Sequence, residues 1–226
     1  MNRYNSFYLI HKGLRAMLYD AALTLQQTDF SRMEESASAL AKVNDALFVF
    51  SNHAHHEDQF IFPMVEKHEP ELAESFEKEH VEDHRLSDNL KSLLVIYENV
   101  LLAEEKVVCG SAITKSFVDF MVFNLQHMGK EEIYINEALW KYYTDEQIIS
   151  ESEKLIASIP PAEMQLVAKW MLKGISTTDT INWLKSIKHS SPEFVFKSLM
   201  NLAQSVLSKT QFEIVQEALE EEAALA

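Results

Sequence analysis

The sequence predicts an all-α protein: an up-down-up-down four-helix bundle over residues 1–144, followed by a small helical C-terminal extension over 145–226. Three observations carry that expectation. The 226 residues include only 4 glycines and 5 prolines, whereas the helix formers Leu, Ala, Glu and Lys are abundant. Four long stretches repeat apolar residues at alternating spacings of three and four, the inward seam of a packed helix, and short links join them. Beyond Thr144 the patterns shorten, and each acquires its own start signal. With 47% hydrophobic residues the chain can fill a real core.

The first helix is expected over residues 5–27, with a seam of Tyr4, Phe7, His11, Leu14, Leu18, Ala21 and Leu25. Ser31 and Glu34 have capping-box spacing and open a second helix over 32–68. Its seam is Val43, Ala46, Phe50, His53, Glu57, Phe60 and Met64, and Pro63 should loosen its last turn. The third helix, 70–106, carries Ala73, Phe76, His80, Asp83, Ser87, Leu90, Leu94, Tyr97 and Leu101, with His84 one position beside that seam. Cys109-Gly110-Ser111 reads as the next break, with Ser111 as N-cap. The fourth helix, 112–143, follows Ile113, Phe117, Phe120, Asn124, His127, Glu131, Tyr134 and Ala138. In the extension, Pro160-Pro161, Ser176, Ser191-Pro192 and Ser208 are start signals, and the acidic-alanine end, 217–226, is expected to fray. That half shows no chemistry: His189 stands alone.

A formal net charge of −15 argues against nucleic acid and anionic membranes as partners. No stretch approaches about 18 uninterrupted apolar residues, so no membrane span is expected. The single Cys109 excludes an internal disulfide and suits a reducing compartment, so the expected location is cytoplasmic.

Polar residues intrude on the seams at His11, at His53 with Glu57, at His80 with His84, and at His127 with Glu131. The three pairs are i, i+4, so each offers two groups from one helix face. Counted along their helices, all three lie roughly 15–24 Å from one end of the expected bundle, a single slab. A lone seam histidine is ordinarily a hydrogen-bonded core residue. Seven ionisable groups at one level are different, because each costs several kcal/mol unless paired or coordinated. Folded chains have only about 5–15 kcal/mol to spare. A cation resolves the conflict. Imidazole with carboxylate and no thiolate suits iron, manganese or zinc, and seven ligands exceed what one zinc takes.

This order of pairs, H…HxxxE…HxxxH…HxxxE over residues 5–143, resembles the hemerythrins and hemerythrin-like HHE cation-binding domains. The resemblance implies a four-helix bundle around a non-haem centre of two iron ions with an oxo or hydroxo bridge. It implies His11, His53, His80, His84 and His127 as terminal ligands, and Glu57 and Glu131 as bridges. The oxygen-carrying members have aspartate five residues after the last histidine, whereas here Glu131 and Glu132 follow His127. Regular helix geometry favours Glu131, and a π-bulge would favour Glu132. His55 is expected to face solvent, and His56 to border the seam. Phe50, Phe60, Phe120 and Phe123 lie near the same level, as core packing or as the wall of an apolar gas pocket.

Two function classes compete. One is a binding protein that holds dioxygen or a similar small diatomic for storage, delivery or sensing. The other is a di-iron enzyme or iron-handling protein that reduces peroxide, oxidises iron or donates it for repair. Helical ferritin-like oxidases use more carboxylates, and five histidines to two carboxylates favours reversible binding over catalysis. With all seven ligands and the implied bridge, about one of twelve coordination positions stays open. The extension is expected to serve a protein partner or self-association.

Overall fold

A computed structural model describes residues 3–225, with side chains described through Glu220. Among the described residues there is no strand. The helices are α1 (Tyr8–Gln27), α2 (Met33–His56), α3 (Phe62–Glu66), α4 (Pro70–Asn99), α5 (Ala103–Lys130), α6 (Asn136–Tyr142), α7 (Asp145–Ser158), α8 (Pro161–Gly174), α9 (Thr177–Ser190), α10 (Glu193–Val206) and α11 (Lys209–Leu225). Two π-helical segments, Glu57–Ile61 and Glu131–Ile135, join α2 to α3 and α5 to α6.

The chain groups into two compact units. Among the described residues, one comprises 3–7 together with Met17–Ile159, and the other comprises Tyr8–Ala16 with 160–225. In the first unit α4 packs along α5, and α2 and α3 pack against α4. Its core holds Leu18, Val43, Phe50, Leu90, Ile113 and Phe117. A second cluster, around Phe7, Phe62, Phe76 and Leu139, takes in Ile148 from α7, so the first helix past residue 144 is part of this unit. Thr144 starts α7 with a reciprocal capping box to Gln147. Arg3 ties the N-terminal segment here by an ion pair to Asp145 and a hydrogen bond to the Tyr143 carbonyl.

Within the second unit, Tyr8–Ala16 lies tightly against α8. A Cβ on Gly174 would stand 2.4 Å from the Lys12 carbonyl oxygen, and one on Gly13 would stand 2.8 Å from the Met171 nitrogen. Lys12 pairs with Asp179 at 2.8 Å, and Ser176 caps α9 through the Asp179 N–H, as its sequence position suggests. Ser208 likewise accepts from the Gln211 N–H at the start of α11. Leu184, Val215 and Leu219 form a small core there. Part of the stretch expected to fray, 221–226, lies outside the described side chains.

The structure corrects four local expectations. The break between the third and fourth long helices is at Val100–Leu102, not at Cys109-Gly110-Ser111. No glycine or proline marks it; Lys106 instead donates to the Tyr97 carbonyl near the end of α4 and lies over the Tyr97 ring. Gly110 lies inside α5 because the Phe30 ring packs where its side chain would be: an added Cβ would be 2.1 Å from Phe30 Cγ. Ser111 bonds back to the Val107 carbonyl and caps nothing. Ser31 is not an N-cap either. Asp29 takes both its N–H and its hydroxyl, closing a turn ahead of α2.

The π segments account for a further difference. The Phe62 N–H reaches back to the Glu57 carbonyl and the Asn136 N–H to the Glu131 carbonyl, five residues in each case. One extra residue turns the next part of the helix face by about 100°. The inward positions after Glu57 are therefore Ile61 and Val65 rather than Phe60 and Met64. After Glu131, Ile135 is buried and Tyr134 is 50% exposed. Pro63 lies in the first turn of α3, one residue after the π segment, so the discontinuity precedes the proline instead of loosening the turn after it.

The continuous helix Ala103–Tyr142, 40 residues, is long and apolar enough by length and composition to cross a membrane, which the sequence reading did not expect. Its Ile113, Phe117 and Phe120 are fully buried within the first unit, and it carries buried His127 and Glu131.

Gly110→Ala should destabilise the fold by about 1–3 kcal/mol, because the clash is with the root of the Phe30 ring and not a flexible tip. Urea unfolding at constant slope would measure it, and a midpoint equal to wild type would contradict the close-approach account.

Candidate metal centre

Two helical pairs face one another with matching geometry. His53 Nε2 lies 3.1 Å from Glu57 Oε1, and His127 Nε2 lies 3.1 Å from Glu131 Oε1. Each carboxylate is the first residue of a π segment. His80, on α4, places its Nε2 3.1 Å from His127 Nε2 and 3.6 Å from Glu57 Oε2. One donor atom from each of Glu57, His80, His127 and Glu131 lies within 4.8 Å of the others, and the same holds for His53, Glu57 and Glu131. The two glutamates belong to both groups. Glu57, His80, His127 and Glu131 are all buried, and the His53 side chain is nearly so.

Which ring nitrogens carry protons is set by the outer partners. His80 Nδ1 is 2.8 Å from Asp58 Oδ1, and His127 Nδ1 is 2.9 Å from Glu79 Oε2. A carboxylate only accepts, so each Nδ1 is an N–H donor, and each Nε2 faces inward, where it holds a proton in the metal-free protein or presents a lone pair to a cation. Two Nε2 atoms and the glutamate oxygens then converge. Such a set of acceptors needs protons or a cation among them. This donor chemistry fits a metal ion.

The proton affinities obey the same electrostatics. Burial alone would lower the pKa of His80, but hydrogen bonds and charge from Asp58 and Glu57 push it up to about 10. His127 is also raised against the effect of burial, chiefly by Glu131. Glu79 is lowered, since hydrogen bonds from Lys130 and His127 outweigh its partial burial. Burial raises Asp83, and the Asn124 amide opposes the shift in part.

The structure brings together His53, Glu57, His80, His127 and Glu131. His11 is fully buried on α1. His84 is not brought to the site: it is exposed, and Asp83 occupies the buried position, 2% exposed. The reason is register. The buried face of α4 runs Ala73, Phe76, His80, Asp83, Ser87, Leu90, Leu94 and Tyr97, a strict 3–4 alternation that passes His84 by. Between the two candidate bridges, Glu131 is fully buried and Glu132 only half-buried. The π-bulge is present but begins at Glu131, so it rotates the residues beyond that position and leaves the His127–Glu131 pair intact. His55 is exposed and His56 half-buried, as expected. His189 is on the surface, where its Nδ1 meets the Lys185 carbonyl.

Rings fix the imidazole planes. Phe62 stacks on His80 at 5.0 Å between centroids, and Phe123 on His127 at 6.0 Å. Phe50 meets Phe120 edge-on in the core, and Phe60 lies outside the wall. A small cavity, with room for about one water-sized molecule, is lined by Phe50, Ala54 and Met128 on its apolar side and by His53, Glu57, His80, Asp83, Asn124 and His127 on its polar side. Asp83 Oδ1 accepts from Asn124 Nδ2 at 2.7 Å, and its Oδ2 is buried without a hydrogen-bond partner among the described residues.

Sequence reasoning missed the roles of Asp58, Glu79, Asp83 and Asn124. Asp83 and Asn124 were on the seams and could have been found as polar intruders. Asp58 and Glu79 adjoin inward residues, and periodicity alone marks them as outward-facing.

The family model for the hemerythrin HHE cation binding domain matches residues 3–139. Searches of curated proteins and of solved structures returned no match.

Because the folded-state pKa of His80 lies above its ordinary 6.5, its protonated form stabilises the metal-free fold fully below that value. The contribution is lost as pH rises toward 10. Chelator-treated protein should therefore melt progressively earlier from about pH 7 to pH 10, and a divalent metal should bind more tightly over the same range as it displaces that proton. His80→Ala should flatten the apo profile; an identical profile in wild type and variant would contradict the assignment.

Proposed function

The chain belongs to the hemerythrin HHE cation-binding domain family, and on that premise we propose that its first part is an up-and-down four-helix bundle holding two iron ions and binding a small diatomic such as dioxygen. The observation that carries the reading is the sharing of Glu57 and Glu131 by two groups of donors, the arrangement two bridging carboxylates require. His80 and His127 would hold one ion. His53 would hold the other, with His11 as its second imidazole on the strength of its place in the family's motif order and its complete burial. Iron in this setting would supply reversible coordination of a small ligand. Phe50, Ala54 and Met128 would keep bulk water from the same cavity.

The donor set differs from the seven-ligand expectation. With His84 on the surface, four imidazoles and two bridging carboxylates give eight protein donor atoms against about twelve positions on two six-coordinate ions. That leaves more room for exogenous ligands than a site with a fifth histidine. The exposure of His84 thus favours a second reading, an iron-handling or redox role in which two small reactants meet, more than the sequence did.

Protein from iron-supplemented cells should carry about two irons per chain. Glu57→Ala and Glu131→Ala should lose metal, and His84→Ala should retain it; one metal or fewer in wild type would remove the dinuclear reading. Mixing the reduced protein with air in a stopped-flow cell separates the two roles. A charge-transfer band that fades on argon purging supports the binding protein, and immediate irreversible oxidation without that band supports the enzyme.

A further inference from the structure

His80 and His127 are each held from outside by a carboxylate on a different helical segment. Asp58, beside Glu57 in the first π segment, reaches His80 on α4 at 2.8 Å. Glu79, beside His80 on α4, reaches His127 on α5 at 2.9 Å. Adjacent residues thus divide the work: Glu57 and His80 point inward, and Asp58 and Glu79 turn sideways to the neighbouring helix's imidazole. Glu79 is itself clamped, since its other oxygen meets Lys130 Nζ at 2.6 Å.

The ordinary account of such contacts is surface ion pairing, which contributes about 0–1 kcal/mol. It explains the Lys130–Glu79 pair, whose lysine is 48% exposed. It does not explain why both buried imidazoles meet a carboxylate through Nδ1 while their Nε2 atoms stand 3.1 Å apart. Stacked Phe62 and Phe123 restrict each ring to its plane but leave it free to flip within that plane. A flip exchanges the carbon and nitrogen positions and would turn the lone pair away. A carboxylate at Nδ1 removes that freedom and makes the imidazole a stronger electron donor.

We propose that Asp58 and Glu79 are positioning residues for the metal ion held by His80 and His127: they fix which nitrogen faces the ion, and their charge tightens its binding and lowers its reduction potential. This rests on the metal reading above. The test uses iron-loaded full-length protein carrying Asp58→Asn, Glu79→Gln, or both positions as alanine. Iron content, anaerobic iron release to a ferrous chelator, and the reduction potential by spectroelectrochemical titration are followed. The double alanine variant should release iron about 10–100-fold faster than wild type. The amide variants, which keep shape and an acceptor oxygen, should keep their iron but shift the potential upward. Wild-type release rates and potentials in all variants would overturn the proposal. So would alanine variants that lose iron and melt early while the amide variants keep the wild-type potential, because that pattern is purely structural. A wild-type chain that retains no iron overturns the metal reading and this inference together, whereas iron-replete wild type with indifferent variants overturns only the inference.

Discussion

Four inward-facing ionisable side chains, Glu57, Glu131, His80 and His127, are packed within 4.8 Å of one another at nearly zero solvent exposure, and much of the first unit is arranged around satisfying them. Desolvating a carboxylate costs several kcal/mol even after relaxation, and here two are buried side by side. The compensation is layered. Imidazole nitrogens face the carboxylates, further carboxylates at the rim face the imidazoles, and Lys130 faces one of those. Charge thus alternates from the centre outward. The same alternation drives His80 up to about 10 and raises His127, so protons can fill the place a cation would take.

The two π segments are the backbone's share of this arrangement. A regular helix that brings Glu57 inward would next bring Phe60 and Met64 inward. With one residue inserted, Ile61 and Val65 close the core instead, and Phe62 becomes free to stack on His80. The same insertion after Glu131 buries Ile135 and puts Tyr134 outside. Each π segment begins at the carboxylate and accepts the i+5 N–H on that residue's own carbonyl. Placing the same irregularity at both glutamates suggests a structural demand of the buried pair, in line with the tendency of π-bulges to fall at functional sites.

The helical class and the inward placement of most candidate donors were legible in the sequence because they rest on periodicity, which burial enforces over long stretches, and the family was legible from the order of the His and Glu pairs. His53, Glu57, His80, His127 and Glu131 all stood on seams. His84 stood beside its seam, and the spacing argument for i, i+4 pairs overrode the register that excluded it. Phe60, Met64 and Tyr134 were misplaced because a π insertion has no compositional signature and resets the period from within. The break at Val100–Leu102 was illegible for a related reason. It lacks glycine and proline, whereas Gly110, which looks like a breaker, is small so that Phe30 can approach α5. The contacts of Asp58 and Glu79 were invisible because a one-dimensional pattern says nothing of which outward residue lies against a neighbouring helix.

Asp83 adds a third buried carboxyl beside the two glutamates. It lines the cavity beside Glu57, its seam neighbour Asn124 holds one of its oxygens, and its other oxygen is buried. Burial raises its pKa, although the nearby imidazoles and the Asn124 amide act the other way. A third full negative charge would add to the repulsion between Glu57 and Glu131. A raised proton affinity is the direction that eases such repulsion, and the side chain keeps a polar group at the cavity wall. In the register of α4, the buried position next to His80 goes to this carboxyl, and the imidazole of His84 is left to solvent. The resulting arrangement is a pair of buried glutamates, imidazoles around them, and a third carboxyl at the wall of the small cavity beside them.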